Sequence, residues 1–194
     1  MQTTKDKILS AVISYIKEGL TDQISLAKIA SDAEIGKSTV YEYFKSKEEM
    51  IEETYRYLLS RYESILLEDV SNMTFKGAFI EQLERNLIVM EDAATIMDML
   101  MNHHADQFYK FGKSLEPRVV DLQQQIQKRF EVIFRMGVSE GVIAPRIPKP
   151  YDRYVIQAIM TGLMFQYVNH KMEIDRNQLL ELIYQEVIER IKRS

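Results

Sequence analysis

Apolar residues return every three or four positions along nearly the whole of this chain, and runs of strict alternation at strand spacing are hard to find. That periodicity constrains the chain to an all-α fold. The first stripe, Ile8, Leu9, Val12, Ile13 and Ile16, follows Thr3 or Thr4 as a cap and stops at Gly19. A short second helix opens at Ser25 and turns Leu26, Ile29 and Ala30 inward, and a third begins at Gly36 or Lys37 and is over by Phe44. Ser46 and Glu49 form the S-x-x-E of a capping box, opening a longer helix through Met50, Ile51, Tyr55, Leu58, Leu59, Tyr62 and Leu66. After the polar break DVSNMTFKG, residues 75–90 and 92–111 are expected as a helical pair. Pro117 is expected in the first turn of the next helix, whose stripe is Leu122, Ile126, Phe130, Ile133 and Phe134. The stretch MGVSEGVIAPRIPKP ends that helix with glycine and proline. Two last helices, about 151–170 and 176–192, carry stripes wide enough to imply burial on two sides, one of them against a partner chain. Ile156, Leu163, Tyr167, Leu180, Ile183 and Val187 are the expected interface residues.

With 194 residues, 46% hydrophobic and 28% charged, the chain can bury a real core in one domain or two small ones. No apolar run approaches the roughly 18 residues that span a bilayer, so no membrane role is expected. The start, MQTTKDKILSAV, lacks a long apolar stretch behind a basic one, and a cytoplasmic location fits. There is no cysteine, which excludes disulfides, zinc-thiolate sites and thiol catalysis. No cofactor is implied, and no nucleophile-base-acid constellation or phosphate loop supports an enzyme. The net charge of -4 argues against coating a polyanion with the whole surface, so any nucleic-acid contact must be local.

One local candidate is GKSTVYEYFKSKEE, residues 36–49. Two short helices joined by DAEIG match a helix-turn-helix, whose second helix enters the major groove. Val40 and Phe44, four apart, would face the core with Ile29 and Ile35. The opposite side then carries Lys37, Ser38, Thr39, Tyr41 and Tyr43, each able to donate to a base edge or a phosphate oxygen. Lys47 places a cation at the N-terminus of the fourth helix, where a phosphate would be stabilised; alternatively it is an ordinary solvated lysine.

The segment ISLAKIASDAEIGKSTVYEYFKSKEEM resembles the DNA-binding region of the TetR family of transcriptional regulators, in spacing, in aromatic positions and in the lysine after the second cap. GVSEGVIAPRIPKPYDRYVIQAIMTGL is more loosely similar to the segment before that family's dimer-forming helices. The resemblance implies phosphate contacts for Tyr41, Tyr43 and Lys47, base reading around Lys37, Ser38 and Thr39, and groove-facing positions for Ala27 and Lys28. It implies a helix-turn-helix domain over residues 1–46 and a larger helical ligand-binding and dimerisation domain over 47–194. It further implies a repressor that binds a palindromic double-stranded DNA operator as a homodimer and is released by a small apolar or amphipathic effector. Two positions depart from the pattern: Glu34 stands where many members have glycine at the turn, and Gly36 replaces the usual Ser or Thr cap.

Residues 1–50 carry seven lysines, no arginine and eight acids, which leaves Lys37 as the one strong guanine donor and keeps open a helical module that binds a protein instead of DNA. The methionines admit two readings. Met97, Met101, Met160 and Met164, with His104, Phe108, Phe130 and Phe134, line an adaptable ligand pocket, or they are plain core. His103 and Asp106 are three apart on a helix, but no third ligand at convincing spacing follows, so no metal site is expected.

Overall fold

The computed structural model describes the backbone of residues 3–103, 105–145, 152–170 and 172–193, and their side chains except at 94–112, 114–115, 153, 170 and 193. The described residues form eight α-helices and no strand: α1 (Thr4–Lys17), α2 (Leu26–Asp32), α3 (Lys37–Tyr43), α4 (Lys47–Leu66), α5 (Phe75–His103), α6 (Ala105–Ser139), α7 (Asp152–His170) and α8 (Arg176–Arg193). A 3-10 turn at Thr21–Gln23 lies between α1 and α2. Two compact units emerge, one of Met1–Glu63 with Thr95–Val119, the other of Ser64–Ala94 with Val120–Ser194.

In the first unit the local chemistry fixes where each helix begins. Thr3 Oγ1 accepts from the Asp6 N–H at 3.1 Å while the Asp6 carboxylate accepts from Thr3 N–H at 2.9 Å, a complete capping box that also lowers the Asp6 pKa. Gly19, at φ 76°, lets the chain leave α1 in the left-handed region. Ser25 accepts from Lys28 N–H at 3.2 Å to start α2. Ile8, Val12, Ile16, Ile29, Val40 and Phe44 make the core, and Met50, Ile51, Tyr55 and Leu58 of α4 complete it. The short helices therefore depend on the first turns of α4 for burial.

In the second unit Phe75, Phe79, Phe130, Phe134 and Tyr184 form an aromatic cluster with ring centroids 5.7–6.5 Å apart. Gly137 of α6 passes so close to Phe75 that a Cβ there would lie 3.0 Å from its ring. The backbone N–H of Phe75, left over at the start of α5, donates to Glu140 at 2.7 Å. At the other end of the preceding helix, three successive carbonyls are met by three side chains: Leu66 O by Gln82 at 3.1 Å, Leu67 O by Arg129 at 3.0 Å and Glu68 O by Arg85 at 2.6 Å. Lys76 with Glu181, and Arg176 with Glu84 and Glu91, tie α8 to α5.

Two expectations about the middle of the chain need correction. The pair expected at 75–90 and 92–111 is instead one helix to His103, because MEDAAT contains no glycine or proline to stop it. Pro117 does not open a helix but lies inside α6, where the missing N–H is tolerated on an exposed turn.

Candidate nucleic-acid interface

The α2–turn–α3 unit begins with a backbone device. Glu34 adopts φ 56°, the left-handed conformation that the turn between the two helices requires. Gly36 then caps α3 without a side-chain bond. From that start the helix phase is set by burial: Val40 is 0% and Phe44 1% exposed, packed with Ile29 and Ile35. One residue on and one back, Tyr41 is 52% and Tyr43 44% exposed. Exposure at that level is unusual for aromatic side chains on a helix whose other face is fully buried.

The remaining expected contact residues are distributed as follows. Lys37 and Ser38 are exposed and Thr39 is half-buried, so all three sit on the outer side of α3. Ala27 and Lys28 are exposed on α2. The Lys28 ammonium lies 5.0 Å from the Tyr15 ring centroid and donates to Gln23 Oε1 at 2.8 Å. Tyr15 in turn donates to the Asp32 carboxylate, a bond that pushes its pKa up to about 12. Lys47 donates to Thr21 O at 2.9 Å, which pins the start of α4 to the 3-10 turn. Ser46 caps the Glu49 N–H at 3.1 Å, but the return bond of Glu49 goes to the Lys45 N–H at 2.7 Å instead of to Ser46. Thus Lys28 and Lys47 are held in internal contacts, and the sequence pattern contained no sign of their partners Gln23, Tyr15 and Thr21.

A second feature is a half-open cavity of about 1310 Å³ in the second unit, between α6 and α7. Phe130, Phe134, Met160 and Met164, four of the expected pocket residues, all line it while also belonging to or packing on the core. Met97, Met101, His104 and Phe108, like the His103 and Asp106 pair, lie outside the described side chains. Ile156, expected at an interface, lines the same cavity. Gln123, Gln127, Gln157 and Asp152 also line it and were not anticipated, because glutamines on an amphipathic helix look like an ordinary solvated face. Among the described residues no group of His, Asp or Glu is placed to hold a metal ion.

Three of the residues expected at a chain–chain interface are placed otherwise. Leu180, Ile183 and Val187 are buried in the core of their own chain, since α8 packs on both α5 and α7 and uses its apolar stripe there. Leu163 and Tyr167 are half-buried against the same core. The apolar side chains that remain outside on α7 and α8 are Tyr154, Phe165 and Leu182.

The described residues form an all-α chain with an N-terminal helix-turn-helix, the arrangement whose second helix can enter a major groove, and a helical second unit that holds a cavity. Residues 8–54 match the family described as bacterial regulatory proteins, tetR family. The whole chain has the fold of solved TetR-family regulators. A TetR transcription regulator from Haloarcula marismortui is 17% identical, with 98% of this chain and 97% of that chain covered and a TM-score of 0.63. A TetR transcriptional regulator from Streptomyces coelicolor is 23% identical, covering 96% and 97%, at a TM-score of 0.56. A TetR family regulator from Thermus thermophilus is 18% identical, covering 97% and 96%, at 0.56. No curated protein matched the sequence.

Proposed function

We propose that this protein is a transcriptional repressor that binds a palindromic operator as a homodimer and is released by a small-molecule effector. The observation that carries the DNA-binding part is the split of α3: Val40 and Phe44 are fully buried while Tyr41 and Tyr43 stand in solvent. Lys37, Ser38 and Thr39, on the first turn, would read base edges, and the two tyrosines would donate to phosphates. Ala27 and Lys28 would lie along the groove wall, and Lys47 would reach a phosphate by exchanging the Thr21 carbonyl for it. Residues 1–46 would act as the reading head and 47–194 as the effector and dimerisation part, acting in the cytoplasm. No helix among the described residues is long and apolar enough to cross a membrane.

The dimer would form through the outer faces of α7 and α8. Phe165 is exposed on α7, and exposed Leu182 lines a shallow groove with Ala158 and Gly162, where small side chains let a second helix approach. Two-fold symmetry in the protein then requires two-fold symmetry in the operator, with half-sites about one helical turn or somewhat more apart. The cavity between α6 and α7 is where the effector would bind, and release requires that it favour the conformation that does not fit the operator.

The test is selection of bound duplexes from a random DNA pool, repeated with Tyr43→Ala and Lys47→Ala. The expected result is one enriched palindrome that both variants lose. No enrichment at low salt by a folded dimer would reject operator binding.

A further inference from the structure

The residue on the outermost line of α3 is an acid. Val40 and Phe44, both fully buried, fix the inward direction of the helix. Glu42 lies midway between them in sequence, so at about 100° per residue it stands about 180° round from that direction. Tyr41 and Tyr43 lie about 80° to either side of the inward line, on the two flanks. Ser38, one turn before Glu42, shares the outward side.

The stability of the fold does not account for this acid. Glu42 is exposed, and its carboxylate has no hydrogen-bond or ion-pair partner among the described residues. It is the last residue but one of α3, where the unpaired carbonyls of the helix end disfavour a negative charge. Seated in a major groove, α3 would carry Glu42 between two rows of phosphates, and their field opposes it as well. What remains to attract a carboxylate there is a donor on a base edge.

The chemistry of the groove then selects the base. A carboxylate only accepts hydrogen bonds. Guanine presents two acceptors, N7 and O6, and thymine presents O4 and a methyl group, so both repel it or offer it nothing. Adenine sets its N6 donor beside the N7 acceptor, which opposes the second carboxylate oxygen. Cytosine presents the N4 donor with no acceptor beside it on the same base. We infer that Glu42 is a specificity-determining residue that accepts from a cytosine N4 in each half-site, while Tyr41 and Tyr43 hold the phosphates on its flanks. This rests on the operator reading given above and specifies one base of that operator.

The test repeats the selection from random duplexes with full-length wild type, Glu42→Ala and Glu42→Gln. Wild type is expected to enrich a palindrome with cytosine fixed at one position of each half-site. Glu42→Ala should keep the rest of the palindrome and accept any base at that position, and Glu42→Gln should move the preference to adenine, whose N6 and N7 a carboxamide matches. Replacing that cytosine in one half-site should weaken wild-type binding about tenfold and leave Glu42→Ala unaffected. The same palindrome from all three proteins, with binding to every duplex uniformly tighter in the variants, would overturn the inference, because Glu42 would then only repel phosphate; operator binding itself would stand. A wild-type palindrome with no fixed cytosine that depends on Glu42 overturns it in the same way. Absence of any palindrome from wild type rejects the operator reading and this inference together.

Discussion

Glu34 occupies a backbone conformation that disfavours it. At φ 56° an L-residue with a Cβ is held in the left-handed region at a cost of about 1–2 kcal/mol. Glycine relieves that strain but gives back about 0.5–1 kcal/mol in unfolded-chain entropy. Glu34→Gly should therefore stabilise the protein by about 0.5–1 kcal/mol, read as a higher urea midpoint at unchanged slope. A lower midpoint would mean that the Glu34 side chain contributes more than its backbone costs. Gly137 is the opposite case. Its φ is ordinary, but a methyl there would stand 2.8 Å from Ile143 Cδ1 and 3.0 Å from the Phe75 ring, which is locked in the aromatic cluster. Gly137→Ala should destabilise by about 1–3 kcal/mol despite the better helix propensity of alanine. Calorimetry on the two variants should show shifts of opposite sign.

At the scale of elements, the end of α4 is secured by side chains from two other helices. Arg85 on α5 is buried, donates to Glu68 O at 2.6 Å and to Glu81 at 2.8 Å, and has its donors used. Arg129 on α6 caps the neighbouring carbonyl at 3.0 Å, but its Nε and Nη2 are buried without partners, and burial, then the nearby Arg85 cation, lower its pKa. Arg85→Met should cost about 2–3 kcal/mol through hydrogen bonds lost from a charged donor, whereas Arg129→Met should cost less than about 1 kcal/mol because desolvation offsets its single bond. Equal losses in chemical denaturation would refute this ranking. The same elements show what a sequence can reveal. Caps at Thr3 and Ser25 and the stop at Gly19 are local chemistry, and the structure has them in place. The fusion of two expected helices into α5, across a segment with no glycine or proline, and the run of α6 through Pro117 on an exposed turn are continuations that the spacing of apolar residues does not encode. Tyr41 and Tyr43 could be placed outside because Val40 and Phe44 fix the phase of α3 within four residues. Leu180, Ile183 and Val187 could not be assigned to a face, because the width of an apolar stripe does not say whether the chain itself or a second copy covers it.

At the scale of the molecule, the proposed assembly and its electrostatics make linked demands. Phe165 and Leu182 lie outside the core, so Phe165→Lys with Leu182→Lys should leave a folded chain of unchanged helicity that sediments as a monomer and loses operator binding. Unfolding of this variant at ordinary temperature would instead place these side chains in the chain's own stability. Operator binding must also overcome a net charge of -4 on each chain. Near the proposed interface, Lys37 and Lys45 are exposed, and Lys47 becomes available once it leaves Thr21. Two to three cations per head give about four to six phosphates neutralised per dimer, and a slope of log affinity on log salt of about -4 to -5. Raising salt from 50 to 200 mM should then weaken binding by roughly 10²- to 10³-fold, and Lys47→Ala in both heads should flatten the slope by about 2. A slope near zero would mean that these lysines never meet phosphate, and that the tyrosine-bearing face of α3 serves a neutral partner.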